Sequence, residues 1–81
     1  MTCGILEIQP GEAGLMKTHQ HPQSEIYHIL SGKGLMTIGT GDHAVRLGST
    51  IYIPGSSPHR LQNTGEKILR LFYVFPRGLF R

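Results

Sequence analysis

Turn signals interrupt this chain at short intervals, and no segment between them carries the apolar spacing of three and four that a helix of about ten residues needs. Pro10-Gly11, Pro22-Gln-Ser24, Ser31-Gly32, Gly39-Thr-Gly41-Asp42, Gly48-Ser49, Pro54-Gly55 and Asn63-Thr-Gly65 combine residues that preset or permit turn torsions. The segments they leave are short and apolar, as strands are: Gly4 to Ile8, Leu15 to His21, Glu25 to Leu30, Gly34 to Ile38, His43 to Leu47, Thr50 to Ile53, His59 to Asn63 and Lys67 to Val74. The expected class is all-β, and about eight short strands in one domain spanning residues 1–81 suit a small closed barrel or double-sheet jelly roll.

A chain of 81 residues has a marginal core of its own. With Cys3 as the only cysteine, no disulfide within the chain can add stability, which leaves a bound metal or a second subunit as the common routes. Ile68-Leu-Arg-Leu-Phe-Tyr-Val-Phe75 is apolar on both faces of a strand, and the tail Phe75-Pro-Arg-Gly-Leu-Phe80 keeps two aromatics, the first of them shared with that segment. A homodimer is therefore expected, with this tail and the first strand assigned to the contact. No apolar run reaches the ~20 residues of a membrane helix, and the start of the chain lacks the basic and apolar regions of a secretory signal, so the expected location is the cytoplasm. The net charge is +3, but Lys17, Lys33, Arg46, Arg60, Lys67, Arg70, Arg77 and Arg81 are scattered without stacking aromatics between them. That pattern speaks against a nucleic-acid partner and for no more than a general attraction toward small anions.

One constellation carries chemistry. His19 and His21 alternate, Glu25 follows four residues on, and His59 closes Pro54-Gly-Ser-Ser-Pro58-His59. Side chains two residues apart share a face only in an extended chain, and Pro22 pushes His21 toward extended torsions, so the ligands are expected on strands. Three imidazoles and a carboxylate suit one divalent transition metal, whether Mn²⁺, Fe²⁺, Co²⁺, Ni²⁺, Cu²⁺ or Zn²⁺, and leave two positions open on an octahedral ion. With one carboxylate against a dication the site keeps a charge near +1, which favours an anionic small molecule as a further ligand.

His19, His21, Glu25 and Gly32 together with Gly48, Pro54, His59 and Asn63 stand at the spacing of the two motifs of the cupin superfamily, G-x5-H-x-H-x3,4-E-x6-G and G-x5-P-x-G-x2-H-x3-N, and the chain resembles a small single-domain cupin. Gly14 lies one residue too close to His19, Ser56 stands where the second motif has glycine, and Ser49 replaces a common aspartate. The resemblance implies a conserved-barrel jelly roll with His19, His21, Glu25 and His59 converging on the metal. Tyr27, two residues past Glu25, shares its inward face, and the string H-x-H-x3-E-x-Y resembles that of some cupin-type dimethylsulfoniopropionate lyases, which makes Tyr27 the candidate catalytic residue. Tyr27, Ile29, Leu61, Met16 and Met36 are expected to line the interior, His28 and His43 to lie outside the site, and Asn63 to satisfy backbone groups in a turn. Cupins include dioxygenases, decarboxylases, isomerases, lyases and non-enzymatic binders. A metalloenzyme acting on an anionic metabolite, a metal-dependent binding or sensing module, and a structural barrel stapled by its metal all remain open at this point.

Overall fold

The computed structural model describes residues 1–11 and 20–76. Among these residues there are seven strands and no α-helix: β1 (Thr2–Ile8), β2 (Glu25–Ser31), β3 (Lys33–Ile38), β4 (Gly41–Arg46), β5 (Thr50–Ile53), β6 (His59–Asn63) and β7 (Leu69–Phe75). All pair antiparallel, in a four-stranded sheet of order β1-β7-β2-β5 and a three-stranded sheet of order β4-β3-β6. β5 and β6 match the expected limits at both ends. The expected strand from Leu15 to His21 lies outside the described residues apart from Gln20 and His21, and those two are not in a strand.

Alternation sets which side chains face inward. Along β2, Glu25, Tyr27 and Ile29 are buried while Ile26 is exposed; along β6, His59, Leu61 and Asn63 are buried while Arg60 and Gln62 are exposed. Between the sheets Ile29, Met36, Ile53, Leu61, Leu69 and Leu71 are fully buried, each contributing about 1.5–3 kcal/mol of apolar transfer. Tyr27, Ile29, Met36 and Leu61 thus lie inside as expected, and Met16 falls outside the described residues. The result is the expected jelly roll, its core enclosed by two facing sheets.

Two motif residues have backbone reasons. Gly32 adopts φ +88°, and a Cβ there would stand 2.8 Å from the Ile68 carbonyl oxygen, so β7 passes too close for any side chain. Asn63 behaves as expected of it: its Nδ2 donates to the carbonyls of Ile8 at 2.9 Å and Lys67 at 2.8 Å, and its Oδ1 accepts from Gly65 N–H at 2.9 Å. One amide therefore ties β1 to the β6–β7 turn. Among the described residues no helix is long and apolar enough to cross a membrane.

Candidate metal centre

Three of the four expected ligands meet at one end of the jelly roll. His21, in the bend before β2, Glu25, the first residue of β2, and His59, the first residue of β6, place one ligand atom each within 4.8 Å of one another. His19 lies outside the described residues. The expectation that strands carry the ligands holds for Glu25 and His59 and fails for His21, because the chain bends at Pro22 and Gln23 before β2 begins. A backbone hydrogen bond replaces the strand as its support: Ser56 N–H donates to the His21 carbonyl at 2.7 Å. Gln20 Nε2 donates to the Ser56 carbonyl at 2.8 Å, and Gly55 N–H donates to Ser24 Oγ at 3.1 Å. The loop that carries His21 and the loop that delivers His59 are thus laced together.

The hydrogen bonds also place a proton on one nitrogen of each ring. His21 Nδ1 lies 2.9 Å from the Gln23 carbonyl and His59 Nδ1 lies 2.9 Å from the Ser57 carbonyl. A carbonyl oxygen only accepts, so each Nδ1 carries a proton, and a neutral ring then presents Nε2 as a lone pair. Those two Nε2 atoms stand 3.1 Å and 3.6 Å from the same oxygen, Glu25 Oε1. Three electron-rich atoms facing one another need a shared positive charge, which protons on the rings or a cation held between them would supply. Backbone carbonyls holding the distal ring nitrogens are also how metal-binding imidazoles are commonly oriented. The donor set therefore fits a divalent transition metal.

Aromatic rings wall the cluster. His21 packs edge-on to His59 at 5.1 Å between centroids, Phe75 stacks on His21 at 6.0 Å, and Tyr73 stacks on Phe75 at 6.1 Å. Phe75, assigned above with the tail to a dimer contact, is the last residue of β7 and faces the site, following the inward parity of Leu69, Leu71 and Tyr73, while residues 77–80 of that tail lie outside the described residues. Extending that parity two residues further was the signal in the sequence. Tyr27 is 2% exposed and edge-on to His59 at 6.4 Å, and burial, with the nearby Glu25 charge second, pushes its phenol well above the usual tyrosine range. His28 faces outward, its Nδ1 2.7 Å from Thr50 Oγ1, and neither it nor His43 belongs to the cluster.

Comparison with known proteins agrees with this picture. The sequence profile of the cupin domain matches residues 4–75. The chain belongs to the cupin family. This cupin is 36% identical over 80 residues to a dimethylsulfoniopropionate lyase of Ruegeria pomeroyi, covering 99% of the chain and 51% of that protein. It is 46% identical over 54 residues to an uncharacterised protein of Methanocaldococcus jannaschii, covering 65% of the chain and 43% of that protein. The cupin thus spans about half the length of these curated relatives. Among solved structures, a predicted oxalate decarboxylase of Thermotoga maritima superposes with a TM-score of 0.82 at 26% identity, over 90% of this chain and 63% of that one. The cupin domain of Schizosaccharomyces pombe Cnp3 superposes with a TM-score of 0.86 at 18% identity, over 96% and 53%, a likeness of fold.

Proposed function

We propose that this cupin holds one divalent transition metal through His19, His21, Glu25 and His59 and acts there as a small metalloenzyme on an anionic small molecule. The observation that carries the reading is the convergence of the Nε2 atoms of two histidines on one carboxylate oxygen, at 3.1 Å and 3.6 Å, with all three side chains gathered at one end of the barrel. A bound metal would supply Lewis acidity, or oxygen activation if the ion is redox-active. The chain's own residues would do the rest. Glu25 lowers the charge of the site by one, so that an anionic oxygen is attracted without being held by a bare dication. Phe75, stacked on His21 and backed by Tyr73, would shield that side of the cluster from water. Tyr27, whose phenol stays protonated at neutral pH, is the proton donor nearest the cluster. Dimethylsulfoniopropionate and oxalate, named for two similar proteins, both carry carboxylates, which supports a carboxylate substrate here.

The test is elemental analysis of protein purified without chelator or affinity-column metal, beside His59→Ala. About one equivalent of transition metal, lost in the variant, is the expected result; a native protein that takes up none from Mn²⁺, Fe²⁺, Ni²⁺ or Zn²⁺ would retire the reading. One observation favours a binding or structural barrel without catalysis: among the described residues the buried side chains other than the cluster, Tyr27 and the turn-bonded Asn63 are apolar, with Ile29, Met36 and Leu61 fully buried. A carboxylate that raises the melting temperature of the metal-loaded protein without being turned over would select that second reading. The same proposal takes the cupin as a cytoplasmic homodimer, paired through the outer face of the four-stranded sheet.

A further inference from the structure

Three cations scattered along the sequence are gathered by the fold. Lys33 and Arg46 are Cα partners across β3 and β4, both exposed, and directly opposed residues of an antiparallel pair project from the same face. Thr64 extends the row past β6, its N–H donating to the Lys33 carbonyl at 3.4 Å. The turn into β7 then brings Lys67 to the same groove, a concavity of about 710 Å³ also lined by Gly32, Leu47 and Gly65. A Cβ at Gly65 would stand 3.2 Å from Lys33 Cγ, so the glycine is what lets the lysine stem lie along the groove wall. A second concavity, of about 640 Å³, shares Lys33, Arg46 and Thr64.

This groove is remote from the histidines. β2 runs from Glu25 at the candidate metal centre to Ser31, next to Gly32, roughly 20 Å away at about 3.3 Å per residue. Its charge is also only partly compensated. Like charges directly opposed on a sheet destabilise it, and among the described residues none of Lys33, Arg46 and Lys67 has a carboxylate within ion-pair distance; the bridge there that uses an arginine is Arg70 to Glu7, at 3.4 Å. Glu66 shares the rim and offsets one charge of three. Among the described residues no aromatic side chain lines the groove, so they offer a nucleobase no stacking platform.

We propose that this groove is a second ligand site, for a small multiply charged oxyanion such as a phosphate or dicarboxylate group. Lys33 and Arg46 hold it from the sheet, Lys67 closes over it from the turn, and its charge relieves the repulsion across β3 and β4. The test is a titration of isotope-labelled native protein with inorganic phosphate, and separately with succinate, followed by amide chemical shifts at ionic strength kept constant with sodium chloride. We expect saturable shifts at Gly32, Leu47, Thr64 and Gly65 while Gln23 and Ser56, at the histidine end, stay still. The double variant Lys33→Ala/Arg46→Ala is expected to weaken binding tenfold or more, and Glu66→Gln to tighten it. A response to one anion alone identifies the group the site takes. Shifts reproduced by chloride, shifts confined to the histidine end, binding of an oligonucleotide but of neither small anion, or unchanged affinity in the double variant would each overturn the site. Glu66→Gln removes a charge without opening a cavity; if the double variant fails to fold, the absence of tightening in Glu66→Gln overturns the proposal by itself.

Discussion

A histidine can bind a metal only through a ring nitrogen without a proton, so the partner of its other nitrogen decides what it can do. At His21 and His59 that partner is a carbonyl two residues away, Gln23 and Ser57 respectively, and both rings are thereby set to present Nε2 toward Glu25. Tyr27 stands beside this cluster without being one of its donors, so Tyr27→Phe is expected to leave metal occupancy unchanged where His21→Ala lowers it, as elemental analysis would show. A second consequence concerns pH. Burial, then the Glu25 charge, raises the Tyr27 phenol above its unfolded value of 10.0, so the folded state keeps a proton that the unfolded state releases. The stability from this residue is complete below about pH 10 and is lost as the pH rises further, by up to about 1.4 kcal/mol per unit. In chelator-treated protein, urea unfolding at successive pH values above 10 is expected to show a shallower loss for Tyr27→Phe than for the native chain; parallel curves would refute it. These residues were legible because motif spacing and strand parity name side chains directly. Phe75 was not, because an apolar residue at the end of a strand reads equally well as a surface contact until the strand's last turn of parity is seen to face the histidines.

Among elements, the two loops at the mouth matter more than the strands they join. Strand limits followed from turn chemistry, and β5 and β6 could be placed to the residue because Gly48-Ser49, Pro54-Gly55, Pro58 and Asn63-Thr-Gly65 bracket them. The support of His21 could not be read, since it comes from a backbone contact between segments 35 residues apart in number, Ser56 to His21. That contact falls at a departure from the family pattern. Ser56, at a motif glycine position, adopts φ 66°, a left-handed conformation that costs a non-glycine residue roughly 1–2 kcal/mol. Glycine would remove the strain while adding some freedom to the unfolded chain, so Ser56→Gly is expected to stabilise the protein by about 0.5–1 kcal/mol, a rise of several degrees in melting temperature for a domain this small. Metal occupancy should be unchanged, because the hydrogen bond to His21 uses the backbone N–H. A fall in melting temperature would mean that the serine side chain holds the loop in a way its backbone conformation does not reveal.

At the scale of the whole molecule the limiting quantity is the size of the core. Among the described residues six apolar side chains are fully buried between the sheets, and the outer face of the four-stranded sheet leaves Ile5, Ile26, Tyr52 and Phe72 between 36% and 61% exposed. These four come from four neighbouring strands, with Ile5 opposite Phe72 and Ile26 opposite Tyr52, so they form a continuous patch rather than isolated residues. A small monomer with a marginal core that presents such a patch gains most by covering it with the same patch of a second copy, a two-fold contact that needs no further partner. Light scattering coupled to size exclusion is expected to give twice the 9.0 kDa of the chain. Phe72→Glu sets a carboxylate at the centre of the patch and is expected to return the mass to that of one chain. Because the side chain points outward, circular dichroism should stay that of the native β-protein, while the melting temperature falls and becomes independent of concentration as the coupling between assembly and folding is lost. A native protein that already runs as a single chain at all concentrations would instead leave the bound metal to supply the missing stability, and chelation would then have to lower its melting temperature by more than it lowers that of His59→Ala.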